Sequence, residues 1–217
     1  RLASALAPLL EDHAALEQGL TVFGETFHYA WRKMLADKLG LVALGNEGDD
    51  ILLSDLFDLL QQVETDMTLF FRGLMAIPVE AMADNPDLMD DGALAEPLRR
   101  AFYAEEAFAP AQLNRLTGWL RRYITRACRD TEMTDFPGFA NDRLERMRRA
   151  NPKYVLRNYL AQQAIEALEQ GDDSVITRLM EVLKRPYDEQ PEHDELADRR
   201  PEWARYKAGC SALSCSS

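Results

Sequence analysis

The 217 residues carry 25 basic against 37 acidic side chains, a formal net charge of -12, and 47% of them are apolar. A chain of this length can bury a substantial core, and no apolar run approaches the roughly 20 residues needed to cross a bilayer, so a membrane partner is not expected. The acidic field opposes phosphate backbones, which argues against nucleic acid, and three cysteines make no dense disulfide framework, so a reducing, cytoplasmic setting is expected.

The chain opens on Arg1 without an initiator methionine, and the expectation is a piece of a longer protein. Leu2 to Leu10 is interrupted by Pro8 and ends at Glu11-Asp12 with no small-residue cleavage site, so it is not read as a secretion signal. Its apolar character on more than one face predicts a helix buried in a larger core. Next, Leu20, Phe23, Phe27, Trp31, Met34, Leu35 and Leu39 form one helical stripe that closes at Gly40, a C-cap residue. After the turn Gly48-Asp49-Asp50, the positions Leu53, Leu56, Phe57, Leu60, Val63, Met67, Phe70, Phe71 and Leu74 predict one long amphipathic helix stopping before Pro78.

Pro78 to Gly92 reads as a loop. Helices are expected over Leu94 to Phe108 and Pro110 to Arg129, the second opening on a proline whose missing N-H is not needed in a first turn. Asp135-Phe136-Pro137-Gly138 is a break. Asn151-Pro152 is read as a capped helix start, leading through Val155, Leu156, Tyr159, Leu160, Ile165 and Leu168 to a stop at Gly171. Asp172, Asp173 and Ser174 then cap a helix bearing Val175, Ile176, Leu179, Met180 and Leu183, ended by Pro186. The polar remainder is expected to wrap over the surface, held by Trp203 and Tyr206. The organisation read from these breaks is 1–139, a helical pair over 140–190, and a tail over 191–217; the fold class is all-α.

Few residues invite chemistry. Phosphate-binding glycine loops, a nucleophile elbow and a His-Glu-x-x-His zinc motif are all missing from the sequence. Glu25-x-x-His28 has the spacing of a di-iron half-site, but the other half-site and its extra glutamates are not found, so it is read as chance. The acidic pairs Asp49-Asp50, Asp90-Asp91 and Asp172-Asp173 each precede a helical run and are read as caps. The arginines 121, 122, 126, 129, 143, 146, 148 and 149 alternate with acids and predict a salt-bridged or solvated face rather than a nucleic-acid patch. Cys128 is expected to be a small buried hydrophobe. Lys153, Arg157, Asn158 and Gln162 form a polar set beside an apolar stripe with a scaffolding role, in which Arg157 with Asn158 is suited to holding a neighbouring loop.

The block Asn151-Pro-Lys-Tyr-Val-Leu-Arg-Asn-Tyr-Leu-Ala-Gln162, with Lys38-Leu-Gly-Leu41, Phe70-Phe-Arg-Gly-Leu74, Arg200-Pro-Glu-Trp203 and Ser214-Cys-Ser-Ser217, resembles the C-terminal half of the selenoprotein O family, in collinear order over nearly the whole chain. The resemblance implies a protein-kinase-like fold, of which this chain is the helical end of the C-lobe plus an extension. It implies transfer of AMP from ATP to Ser, Thr or Tyr hydroxyls of protein substrates with Mg2+ or Mn2+. The family's phosphate-cradling, catalytic and metal-binding residues would lie upstream of Arg1, so no catalytic, cofactor-binding or metal residue is assigned here and no ATP or metal is expected on this chain alone. The remaining half in cis is the expected partner, and the source is expected to be bacterial.

The resemblance assigns one functional residue, Cys215, in the family's antepenultimate position. A thiol there is expected to be redox-active, crosslinking either to the catalytic half or, through the Cys-x4-Cys spacing, to Cys210. An independent helical interaction module is the competing reading of the same stripes.

Overall fold

The computed structural model describes residues 2–9, 13–82, 85, 88–132 and 139–210. As expected, the chain is all-α: among the described residues the only β-type pairing is an isolated bridge between Thr65 and Phe102. The helices are α1 (Leu2–Leu6), α2 (Ala14–Leu39), α3 (Asp49–Gln62), α4 (Met67–Gly73), α5 (Asp91–Ala95), α6 (Pro110–Glu132), α7 (Phe139–Ala150), α8 (Asn158–Glu169) and α9 (Ser174–Leu183). Short 3-10 turns link several of them.

The main core surrounds α6. Trp119, Leu120, Tyr123 and Ile124 are fully enclosed there by Leu39 from α2, Leu56 from α3, Phe70 and Leu74 from α4 and Leu98 beyond α5. Trp119 stacks on Tyr123 at 5.5 Å, and its indole N-H donates to the Leu52 carbonyl at 2.9 Å, so the buried ring keeps its polar edge satisfied. α7 lies against α2 and contributes Met147 to this core. A second cluster joins Tyr159, Leu160, Ala164 and Leu179 to Ala204 and Cys210, and a third joins Tyr154, Val182 and Ala197.

Several boundaries follow the sequence rules. α2 ends at Gly40, whose φ of 71° is left-handed, and Leu41 N-H returns to the Ala36 carbonyl at 2.9 Å. α6 opens on Pro110, α8 stops before Gly171 at φ 81°, and Cys128 is buried beside the Val79 carbonyl. The break at 135–138 lies outside the described residues.

Other expectations are corrected. The single helix expected from Leu53 to Leu74 is two, because residues 63–66 leave the helix. Asp66 N-H donates to the Ala101 carbonyl and Tyr103 N-H to that of Glu64, while the Asp66 carboxylate caps α4 by accepting from Leu69 N-H at 3.1 Å. Leu94 to Phe108 is not one helix either. Pro97 cannot donate in a continuing α-helix, and the chain passes from α5 into a 3-10 stretch, Glu96–Ala101, and a second one, Glu105–Phe108. The Pro78 to Gly92 loop contains a 3-10 turn at Glu80–Met82, with Val79 and Met82 buried.

Asn151-Pro152 ends α7 instead of starting a helix. Asn151 N-H closes α7 on the Met147 carbonyl, the next residues are not helical, and Lys153 and Tyr154 N-H both donate to the Pro186 carbonyl; α8 begins only at Asn158. The tail after Pro191 is held less by Trp203, which packs edge-on to Tyr159 but stays about half exposed, than by arginines; Tyr206 is exposed. Arg200 reaches Glu64, Arg199 donates to the Phe102 carbonyl, and Arg200 N-H donates to the Tyr103 hydroxyl at 3.0 Å. At the start of the chain Leu2–Leu6 forms α1 and Ala7–Leu9 a 3-10 turn, with Leu2 and Leu9 exposed in this chain.

A Cβ at Gly40 would lie 2.7 Å from the Arg143 Cγ and 2.8 Å from the Met147 sulfur, on a backbone already left-handed. Gly40→Ala is therefore expected to destabilise the chain by about 1–3 kcal/mol. Gly19→Ala, in a helix interior with open space at Cβ, should be neutral or stabilising by up to about 1 kcal/mol. Chemical denaturation of the two variants measures the contrast, and equal stabilities would refute the packing of α7 on the end of α2.

Candidate functional site

α2 has two unlike halves. Its last turns are embedded: Leu35, Ala36 and Leu39 are buried, Tyr123 donates its hydroxyl to the Leu39 carbonyl at 2.7 Å, and Arg146 donates to the Gly40 carbonyl at 3.2 Å. Burial pushes the Tyr123 hydroxyl up to about 12, so it stays a neutral donor there. The first half carries the same apolar stripe with none of the described residues covering it. Leu20, Phe23 and Phe27 are 55–67% exposed, and Val22 and Tyr29 on another face are exposed as well. The periodicity predicts a buried face, and in this chain it is uncovered.

The stripe runs into a groove of about 300 Å³ where α2 meets α3 and α4. Trp31 and Met34 form one wall and Phe57, Met67 and Phe71 the other; Lys38, Asn151 and Pro152 close its end. Trp31 stacks on Phe57 at 6.2 Å, which orients the two helices where the groove opens.

Ionic contacts fix this frame. Arg126 of α6 is buried between Asp49 and Asp130, each at 2.7 Å, and donates to the Ala43 carbonyl at 2.8 Å. Asp130 also accepts from Val42 N-H at 2.7 Å, and Asp49 from Gly45 and Asn46 N-H at 2.8 Å. The connection from α2 to α3 is thereby pinned to α6. Burial alone would raise the Asp49 carboxyl; the hydrogen bonds from Arg126, Gly45 and Asn46 outweigh it and hold the group below the usual carboxylate value. Asp49 is thus a buried ion-pair partner and not the cap expected of it, whereas Asp90 does cap α5 through Ala93 N-H, and Asp172 accepts from Ser174 N-H ahead of α9.

A second frame ties on the C-terminal elements. Asn151 exchanges hydrogen bonds with α2, donating to the Lys38 carbonyl at 2.9 Å and accepting from Lys38 Nζ at 3.2 Å, and its own carbonyl accepts from Arg72. Arg72 pairs with Glu189, Lys153 with Glu189 and Asp194, and Arg157 with Asp66. Arg157, read with Asn158 as holding a neighbouring loop, does so through Asp66 in the connection between α3 and α4, whereas Asn158 opens α8. Gln162 instead donates to Glu166 within α8.

The other candidates fall into place. Arg121, Arg122 and Arg143 pair with Asp91, Asp55 and Glu80, a salt-bridged set as expected, although Arg126 and Arg143 are buried rather than on a solvated face. Glu25 and His28 sit on the uncovered half of α2, and among the described residues no group of three metal-ligating side chains comes together. Cys215 lies outside the described residues. Cys210 is buried in the cluster around Tyr159 and Leu160. Sequence reasoning missed Asp49, which looks like any acid before a helix, and Lys38, whose signal is a lone cation at the next position of the α2 stripe.

Residues 1–184 match the family described as protein adenylyltransferase SelO. The chain belongs to this family. It is 62% identical over its full length to a protein nucleotidyltransferase YdiU of Nitrosospira multiformis, 48% to one of Xanthomonas campestris pv. campestris and 44% to one of Rhodopirellula baltica. It covers 40%, 38% and 39% of those proteins respectively, so it spans about two fifths of the length of the SelO-family relatives it matches. Among its described residues no helix is long and apolar enough to cross a membrane.

Removing the charge at Asp49 leaves a buried guanidinium short of one partner, so Asp49→Asn should destabilise the chain by about 3–5 kcal/mol at pH 7. The folded carboxyl titrates below its unfolded value of about 3.9, so its contribution is complete above that pH and is lost as pH falls through the folded value. Denaturation at pH 7 and pH 3 should show the gap between variant and native chain narrowing in acid; an equal gap at both would remove Asp49 as the pinned group.

Proposed function

We propose that this chain is the C-terminal helical region of a protein adenylyltransferase, and that it serves the reaction by bracing a catalytic region that the chain itself does not contain. The whole enzyme would have a protein-kinase-like fold and transfer AMP from ATP to Ser, Thr or Tyr hydroxyls of proteins with Mg2+ or Mn2+. In it, α1 to α6 would continue the kinase-like C-lobe and the elements from α7 onward would form the extension. A cytoplasmic location accompanies that reading.

One observation carries the bracing role: the first half of α2 leaves Leu20, Phe23 and Phe27 uncovered in a family whose members are about two and a half times as long. Burying each such side chain contributes about 1.5–3 kcal/mol, so an arm that stays bare is an unusual end state. Nucleotidyl transfer also needs metal-bridging acids and a phosphate cradle. No group of side chains fit to hold a metal is found among the described residues.

The test is AMP transfer from labelled ATP onto protein. The chain alone should leave proteins unlabelled, a polypeptide of the relatives' length should label them, and the double substitution Phe23→Asp with Phe27→Asp should reduce that labelling at least tenfold. Labelling by the chain alone would overturn the proposal.

For Cys215 we propose a redox-sensitive crosslink to the catalytic region. Support comes from Cys210, whose burial within the second cluster withholds it from exchange. Mass mapping of the oxidised longer polypeptide should find Cys215 bridged outside this chain; a Cys210 to Cys215 bridge, or two thiols, would end the idea.

A further inference from the structure

The groove at the base of α2 is mostly apolar, and among the described residues that line it Lys38 is the one that carries a charge. The ammonium donates to two neutral acceptors, the Ala150 carbonyl at 3.1 Å and Asn151 Oδ1 at 3.2 Å, and lies 5.2 Å from the centre of the Phe71 ring. An ammonium has three donors, and these contacts use two. Lys33, Lys153 and Lys207 each meet a carboxylate at 2.5–2.6 Å. Lys38 meets none among the described residues, in a chain with 37 acids against 25 bases.

Burial already lowers the Lys38 pKa. Any segment that covered the groove would bury the ammonium further, which is unfavourable unless that segment brings a negative charge. Lys38 also falls on the stripe itself, following Leu20, Phe23, Phe27, Trp31 and Met34 at helical steps, so whatever lies along the bare half of α2 continues into the groove.

We infer that the groove receives an amphipathic helix from the part of the polypeptide outside this chain, laid along the α2 stripe and bearing an Asp or Glu whose carboxylate pairs with Lys38 Nζ. The inference rests on the bracing role proposed above. The occupant is committed to the same polypeptide because the family relatives extend for a further three fifths of their length, and to an acidic apolar helix because the stripe runs along one continuous helix while its end is cationic.

Carbodiimide treatment joins an amine to a carboxylate already in ion-pair contact, and it tests the pairing in the longer polypeptide. Peptide mapping should find Lys38 joined to an Asp or Glu outside this chain. Lys38→Arg should abolish that crosslink and leave the melting temperature within about 2 °C, since the charge is kept. Hydrogen exchange of α2 separates the two levels of the argument. Slowed exchange at residues 16–34 without a Lys38 crosslink would overturn this inference and leave the bracing role standing. Exchange as fast as in the isolated chain would remove both. A crosslink joining isotopically distinct copies would put a second molecule in the groove, and the inference would fall.

Discussion

The buried guanidinium of Arg126 is the contact on which the arrangement of α2, α3 and α6 turns. Asp49 and Asp130 hold it on two sides and the Ala43 carbonyl on a third, and the same carboxylates collect the N-H groups of Val42, Gly45 and Asn46. A connection of nine residues between two helices has many conformations open to it. Here its polar groups converge on one buried ion-pair cluster, the N-H groups on the two carboxylates and the Ala43 carbonyl on the guanidinium, so the direction in which α2 leaves the core is set. A charge with every neighbour satisfied is rigid in a way that an apolar contact of the same size is not, because any displacement strands a donor or an acceptor in a dry site.

The C-terminal elements are attached by different means. Their own clusters are small, and the contacts that bind them to the first core are mostly ionic or to backbone carbonyls: Arg72 to Glu189, Arg157 to Asp66, Arg200 and Arg205 to Glu64. Glu64 and Asp66 both belong to the short extended stretch between α3 and α4. That interruption is the landing place for three arginines from the last third of the chain, which gives the break a purpose that helical periodicity alone does not announce.

Legibility in the sequence follows from the range of the force involved. Gly40, Gly171 and Pro110 act through their own backbone, and the boundaries read from them hold. The division between α3 and α4 was hidden because Leu60, Val63, Met67 and Phe70 keep helical spacing straight through it, and the decision is made by pairing with Ala101 and Tyr103 some forty residues away. Asn151 obeys a local rule in the wrong direction, since an Asn-Pro step serves as well to close one helix as to open the next. For the site, the apolar stripe of α2 was plain from spacing, but spacing says only that a face wants covering. It carries no information about what does the covering, and so neither the bare half of the helix nor the neutral surroundings of the Lys38 ammonium could be read from it.

The length of the bare segment has a mechanical side. Residues 14–30 project roughly 25 Å at the 1.5 Å rise of an α-helix, from a base clamped by Leu35, Leu39 and the Tyr123 hydroxyl. A rod anchored at one end behaves as a lever: a tilt of about 10° at the base would swing its tip by roughly 4 Å on that length. Small repacking near Gly40 would therefore be felt as a large displacement at Leu20, in whatever body the arm is seated.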